Sequence, residues 1–244
     1  DPNFRVMDLT LADPFRDSRS SYFYKTVGGF HSARLRRFDE VIQNQFTKSI
    51  NQDVLDMLNA KYIITADPKT GSPSMHANAT ACGHAWFVKS VKYVKDADQE
   101  MQAISSFSPK DEAMIDQQYK SIVEAKPIGA TVNGTIELTS YKPDHLTYQT
   151  GSTSNQVAVF SEIYYDKGWT MYIDGKEQPY YRADYLLRAA TIPVGNHKVE
   201  FIFHPTSYYL GENISLVGSI LLILALAGAV YSERKNKQPE LAKV

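Results

Sequence analysis

Cysteine is almost missing from this chain. Cys82 stands alone among 244 residues, so no internal disulfide can form and a secreted, disulfide-stapled scaffold is excluded. Excess charge is missing as well: 26 Lys and Arg face 27 Asp and Glu, a net charge of −1, which implies no nucleic-acid partner. There is no glycine-rich loop to cradle phosphate, no paired Cys or His spacing for zinc, and no nucleophile elbow. His76 and His84 share a loop but lack a third ligand, and Asp53 with Asp56 reads as a solvated helix face. The chain is accordingly expected to hold no metal, no cofactor and no catalytic residue of its own. Nor does an apolar run long enough to span a membrane occur before Ile214.

That one run is the most informative feature present. Ile214 to Tyr231 reads ISLVGSILLILALAGAVY and is followed at once by Ser-Glu-Arg-Lys-Asn-Lys. As a helix it would rise roughly 27 Å, close to the ~30 Å hydrocarbon core of a bilayer. Tyr208 and Tyr209 stand where an interfacial aromatic belt belongs, and Arg234, Lys235 and Lys237 crowd the other side. Positive charge beside a span marks the cytoplasmic end. Residues 1–213 are thus expected outside the cytoplasm and the tail 232–244 within it. The competing reading is a buried helix of a soluble core, which the Gly and Ala of an uncharged run suit less well. The chain opens Asp-Pro-Asn-Phe-Arg-Val, with no initiator Met and no apolar h-region, and is expected to be the tail of a longer polytopic protein.

The remaining chain changes texture part-way. Phe4 to Leu9 alternates like a strand, Ser32 is a plausible helix N-cap, and Leu35, Phe38, Val41, Ile42 and Phe46 follow at helical spacing. A short helix over Asp53 to Asn59 leads into the strand Lys61 to Thr65, and Asp67 to Gly83 reads as an exposed loop. Trp86 to Val94 is strand-like and Asp96 to Ser105 helical. From Ile128 onward strands alternate with turns, Asp174-Gly175 being a type I′ hairpin signal and Val194-Gly195-Asn196 a second turn. The expected fold class is α+β: a mixed α/β subdomain over 1–127, an antiparallel β-sandwich over 128–206, and one transmembrane helix over 214–231. The connector to that helix is short, so the sandwich is expected at the bilayer surface. Asn78, Asn133 and Asn213 head Asn-X-Ser/Thr triplets that read as chance.

Two constellations could bind a ligand. Lys25, His31, Arg34, Arg36 and Arg37 gather near Tyr22, Tyr24 and the Gly28-Gly29 turn. Forked guanidinium donors match phosphate oxygens, and a Gly-Gly turn lets backbone N–H groups approach an anion, here a lipid phosphate. The competing reading has Arg34 and Arg37 on a helix surface, paired with Asp39, Glu40 or headgroups. A strip of aromatics includes Tyr164, Tyr165, Trp169, Tyr172, Tyr180, Tyr181 and Tyr185. Of these Tyr172, Tyr180 and Tyr181 are the candidates for stacking on sugar rings, although alternation would send about half of the strip into the core.

Three stretches carry a resemblance: SYFYKTVGGFHSARLRRFDEVI, VLDMLNAKYIIT, and YYDKGWTMYIDGKEQPYYRADYLLRAATIPVGNHKVEFIFHP before the apolar span. They resemble the C-terminal part of the YfhO family of bacterial membrane proteins. The order Gly-Trp, Asp-Gly-Lys, Arg-Ala and Pro-x-Gly-x-His before a Val-x-Phe strand is its most specific part. The family is similar to polytopic glycosyltransferases that use polyprenyl-phosphate sugars outside the cytoplasm, with a catalytic acid in an early outward loop between membrane helices. The resemblance implies a noncatalytic extracytoplasmic module at the bacterial inner membrane, capping an active site supplied by an upstream transmembrane part and serving transfer onto cell-envelope glycans. Implied partners are membrane lipid, a polyprenyl-phosphate sugar and envelope glycan. The alternative is an anchored, noncatalytic module that binds glycan or protein. A free-standing soluble hydrolase fits least.

Overall fold

The N-terminal strand β1 (Arg5–Asp8) buries Val6 and Met7 and is followed by three short helices, α1 (Arg19–Phe23), α2 (Arg36–Gln45) and α3 (Gln52–Met57). The computed structural model describes residues 3–237, so the last part of the expected tail, 238–244, and residues 1 and 2 lie outside the described residues. Helix α3 starts where Asn51 accepts the Asp53 and Val54 N–H groups, which satisfies two donors of its first turn. Helix α2 begins at Arg36, later than Ser32 had implied, with Leu35 at the cap position and no side-chain cap. Ser32 instead lies in a turn, and Arg34 between that turn and the helix binds the carbonyls of Phe15 and Gly29.

Strand β2 (Ala60–Ala66) runs parallel to β1 and antiparallel to β3 (Pro73–Ala77). Strand β3 lies within the stretch whose composition reads as loop. It is an edge strand whose proline occupies the first position, where a missing N–H costs little. Then come β4 (Ala85–Phe87), β5 (Ser90–Val94), α4 (Ala97–Ala103), β6 (Glu112–Asp116) and α5 (Lys120–Val123). Asp96 caps α4 through the Gln99 N–H, and β5 pairs in parallel with β6. This half is mixed α/β.

The rest is antiparallel: β7 (Gly134–Lys142), β8 (His145–Ser152), β9 (Gln156–Ile163), β10 (Trp169–Ile173), β11 (Lys176–Gln178), β12 (Tyr181–Ala183), β13 (Leu187–Ile192) and β14 (Gly195–Phe203). They form a five-stranded sheet, β11-β10-β14-β8-β7, and a four-stranded sheet, β12-β13-β9-β4. Asp174 and Gly175 both take positive φ, 51° and 77°, as the type I′ turn between β10 and β11 requires. The two sheets face each other through Phe160 of β9, whose ring lies 4.9 Å from those of Tyr148 and Phe201. This is a sandwich core of edge-to-face aromatics.

The four-stranded sheet is covered on its other face as well. Val157, Val159, Tyr181, Leu187 and Ala189 join one hydrophobic cluster with Met7, Val41, Leu55 and Ile115 of the α/β part. A sheet buried on both faces reads as continuous apolar sequence, which explains the run Val157 to Phe160.

By compactness the chain forms two units, residues up to 166 together with 170–202, and residues 167–169 together with those from 203 onward. In the second unit the Trp169 and Phe203 rings meet at 5.2 Å, and Gly168 accepts the His204 N–H at 2.7 Å. Helix α6 (Thr206–Lys237) follows. Consecutive Leu221, Leu222, Ile223 and Leu224 are each more than 60% exposed, so the helix is apolar all round and unburied by protein. It is long and apolar enough to cross a membrane. Ser219 donates back to the Ser215 carbonyl at 2.8 Å, satisfying its hydroxyl within the helix.

Candidate functional site

The basic residues between Lys25 and Arg37 go to separate places. Gly28 and Gly29 do form a turn, but their N–H groups are spent within the fold, on Thr26 Oγ1 and the Pro14 carbonyl. A Cβ at Gly28 would overlap the Pro14 carbonyl oxygen, so glycine there permits close approach of two backbone segments rather than of an anion. Arg34 completes the junction, donating to the carbonyls of Phe15 at 2.5 Å and Gly29 at 2.6 Å and to Asp39 at 3.3 Å. Lys25 donates to Asn3 and lies 3.4 Å from the centroid of the Tyr141 ring. His31 is exposed and accepts the Ala33 N–H through Nδ1. Arg36, 91% exposed, pairs with Glu40 one turn along the helix. Of the five, His31, Arg34 and Arg36 do share one open hollow, with Arg16 and Phe30 on its wall.

Arg37 turns away from that hollow. Its Nη1 donates to the Tyr185 carbonyl at 3.0 Å and pairs at 3.3 Å with Glu100, and its guanidinium sits 4.4 Å over the Tyr185 ring. The three candidate tyrosines also separate. Tyr172 is half-buried on β10, opposite Glu177. Tyr181 is fully buried and shares a hydrogen bond of 3.0 Å with Thr191, which makes it a core residue. Tyr180 donates to the Tyr165 carbonyl and packs its ring 5.4 Å from both Tyr164 and Phe201.

What the fold does assemble is a cleft of about 380 Å³ between the start of α2, the end of β9 and β12. Arg36, Arg37 and Arg182 line it, with Tyr119, Tyr164 and Tyr165, and Asp166 adds a carboxylate. The turn after β12 leads into Leu186, which lines the cleft. Asp184 and Tyr185 both take positive φ, 50° and 71°, a conformation costing of order 1–3 kcal/mol per residue. Buried hydrogen bonds hold it: Asp184 exchanges two with Met114, and the Tyr185 N–H donates to Glu100 Oε1 at 3.0 Å.

Burial governs the titration of this turn and its partners. The Asp184 carboxyl is pushed well above the usual carboxylate range by complete burial, against one N–H from Met114, and its Oδ2 makes no hydrogen bond. Burial also raises Glu100, with Arg182, the Tyr185 N–H and Arg37 pulling the other way. The Tyr185 hydroxyl donates to Glu40 at 2.5 Å and is pushed up to about 12 by burial and by that carboxylate. Among the described residues no group of three or more His, Cys, Asp or Glu could hold a metal ion. His84, held near 4 by burial, faces Asn59, while His76 lies on the exposed strand β3.

The comparisons bear on the same region. A family model described as bacterial membrane protein YfhO matches residues 125–215. This segment is similar to the YfhO family. It contains β7 to β14 and the first turns of α6, so the YfhO match runs from the sandwich into the candidate membrane helix. It includes Tyr164, Tyr165, Asp166 and Arg182 of the cleft, whereas Arg36 and Arg37 lie outside it. No curated protein and no solved structure matches the chain. Sequence reasoning passed over Arg182 and Tyr119 as site residues. The available signal was an arginine between two core residues, Tyr181 and Ala183, of a short strand.

Proposed function

We propose that this chain is the extracytoplasmic C-terminal module of a polytopic YfhO-like membrane protein of the bacterial inner membrane. In this reading the protein transfers sugar from a polyprenyl phosphate to cell-envelope glycans. The module is noncatalytic and borders the region where the donor's phosphate and sugar emerge from the bilayer. The observation that carries the reading is the YfhO match, which continues unbroken into a helix able to span a membrane. The positive charges of Arg234 and Lys235 support a cytoplasmic C-terminus and an outward domain. His31 and the exposed Arg36, in their open hollow, are the groups placed to meet a phosphate. Tyr172 and Tyr180 keep partial exposure for a sugar face.

The test uses the full-length protein in detergent with a polyprenyl-phosphate sugar labelled in the sugar. Saturable binding, and label transferred to envelope glycan in membranes containing the protein but not in membranes lacking it, are expected. A folded protein that neither binds the donor nor changes glycan labelling would overturn the transferase reading.

One observation favours a second reading, an anchored binding module. Tyr22, Phe23 and Phe30 are 85%, 71% and 62% exposed, and the Tyr22 and Phe23 rings contact each other at 5.0 Å. Exposed aromatics of this density mark an interaction surface. Glycan transfer that survives deletion of the module, together with loss of a bound protein or glycan, would favour this alternative.

A further inference from the structure

We propose that the exposed aromatics of α1 and the loop after it, Tyr22, Phe23, Tyr24 and Phe30, dock the module on the surface of its own bilayer, with their rings in the zone between headgroups and acyl chains. The inference rests on the proposed membrane anchoring by α6 and not on sugar transfer. It gives this patch one occupant, lipid, rather than a protein or a glycan.

Helix α1 is inverted for a water-facing surface. Of its five residues only Ser20 is buried, where its hydroxyl donates to Asp8 at 2.8 Å. Tyr22 and Phe23 are largely exposed instead. A helix in water turns its apolar face inward and its polar face out, and here that order is reversed. The patch extends to neighbours in the fold. The Phe23 and Tyr24 rings lie 6.2 Å apart, and the turn carrying Phe30 packs on α1, since a Cβ on Gly29 would stand 3.2 Å from Ser21 Oγ. Backbone bonds fix the platform. The Val6 N–H donates to the Lys25 carbonyl, the Val27 N–H to the Val6 carbonyl, and the Gly29 N–H to the Pro14 carbonyl. The frame therefore keeps these rings out of the core.

Position and chemistry select lipid. Lys25, next to Tyr24, lies 3.4 Å from the centroid of the Tyr141 ring. Tyr141 of β7 pairs with Leu146 of β8, and Leu146 with Phe201 of β14. Two strand spacings amount to roughly 10 Å, so the patch stands at the end of the sheet where β14 finishes. From Ile202 the chain reaches the start of α6 at Thr206 in four residues, which span at most about 14 Å. Tyr208 and Tyr209 follow at once, in the place of an interfacial belt. The covalent chain thus keeps this end of the sheet within reach of the headgroups. Charge is not the attraction, because the basic side chains around the patch are paired: Arg16 with Asp13, Arg19 with Asp17, and Arg36 with Glu40. What is left unmatched is aromatic area. Rings with an apolar body and, in tyrosine, a wet hydroxyl are the composition of membrane-interface belts.

The experiment places a nitroxide on Tyr22→Cys or Phe30→Cys in the full-length protein, reconstituted in phosphatidylcholine vesicles. Collisions with oxygen, which enters lipid, are compared with collisions with a water-soluble nickel chelate. Oxygen access without chelate access is expected at both positions, at a depth of about 5–10 Å into the headgroup–acyl boundary. Lys69→Cys, on an exposed turn, is expected to meet the chelate. Chelate access at positions 22 and 30, or shielding from both reagents as under a protein partner, would overturn the proposal. A lipid depth at position 69 equal to that at position 22 would do the same. Phe23→Ser combined with Phe30→Ser is expected to return the Tyr22→Cys probe to water with the melting temperature unchanged, because both side chains are exposed. An unaltered depth in that variant would count against docking by these rings. Because the neighbouring charges are paired, added phosphatidylglycerol is expected to leave the depth as it is, and a depth seen only with that anionic lipid would overturn the proposal in favour of headgroup charge. A probe on Leu222→Cys separates the two readings. If the chelate reaches position 22 but not position 222, the docking fails alone; if it reaches position 222, the membrane-spanning reading falls with it.

Discussion

Arg37 and Glu100, 63 residues apart, meet in an ion pair of 3.3 Å whose carboxylate has no exposure at all. The pair ties α2 to α4, and through the Tyr185 N–H it ties both to the turn after β12. Removing one partner of such a pair leaves a buried charge uncompensated. Arg37→Met is therefore expected to destabilise the domain by about 2–4 kcal/mol, reduced from a full buried-pair loss because Arg182 remains nearby. Glu100→Gln, which keeps an acceptor for Tyr185, is expected to cost about 1–2 kcal/mol. Urea unfolding followed by the fluorescence of buried Trp86 measures both, and equal costs would show that the charge pairing is immaterial.

Asp184 gives a pH signature. Its folded pKa is raised above the ordinary 3.8 because the carboxyl is wholly buried. The folded protein then keeps a proton that the unfolded chain releases, so this group's contribution is complete below pH 3.8 and is lost as pH rises through the folded value. Asp184→Asn stays neutral and escapes the loss. Its melting temperature relative to wild type is expected to climb between pH 4 and pH 8. A constant difference across that range would mean that Asp184 is ionised in the folded state.

His197 and Asp174 pin the β10–β11 turn to β14 through a 2.6 Å contact. The contact raises the His197 pKa above 6.5 and lowers that of Asp174 below 3.8. The histidine part of this stability is present below pH 6.5 and lost as pH rises through the raised value. The aspartate part is present above pH 3.8 and lost as pH falls. His197→Ala is thus expected to cost more at pH 5 than at pH 9, by about 0.5–1 kcal/mol for a partly exposed pair. Thermal melts at the two pH values decide it; the reverse order would mean that the histidine is neutral in the pair.

Membrane sidedness is open to chemical labelling. Cys82, whose thiol is pushed up to about 12 by burial and by Asp56, is expected to resist maleimide in intact cells. Lys69→Cys, on an exposed loop, should react with a membrane-impermeant maleimide without lysis, and Ser232→Cys only after lysis. Labelling in the opposite order would reverse the proposed orientation.

Features set by neighbours in sequence were legible without a structure. The Asp174-Gly175 turn needs two positive φ angles, the α4 start needs Asp96, and the apolar run from Ile214 needs a helix with no burying partner. The Pro-rich stretch hid strand β3, because an edge strand pairs on one side only and can tolerate loop-like composition. The candidate sites were less legible. Arg34 looked like a phosphate ligand, yet the carbonyls of Phe15 and Gly29 engage its guanidinium, and Tyr181 alternates into the core.

By itself, then, the sequence determined the α+β class, the β10–β11 hairpin and the length and apolarity of the last helix. These follow from periodicity, turn dihedrals and the cost of exposing apolar side chains to water. Only the tertiary structure decided which partner each charge meets. Arg37 is hydrogen-bonded to Glu100, while Arg182 faces Tyr119 and Tyr164 with the same carboxylate at 4.0 Å. Both are arginines in a tyrosine-rich chain whose charges nearly balance. What separates them is the partner that long-range packing puts within reach, and a sequence pattern does not encode that distance.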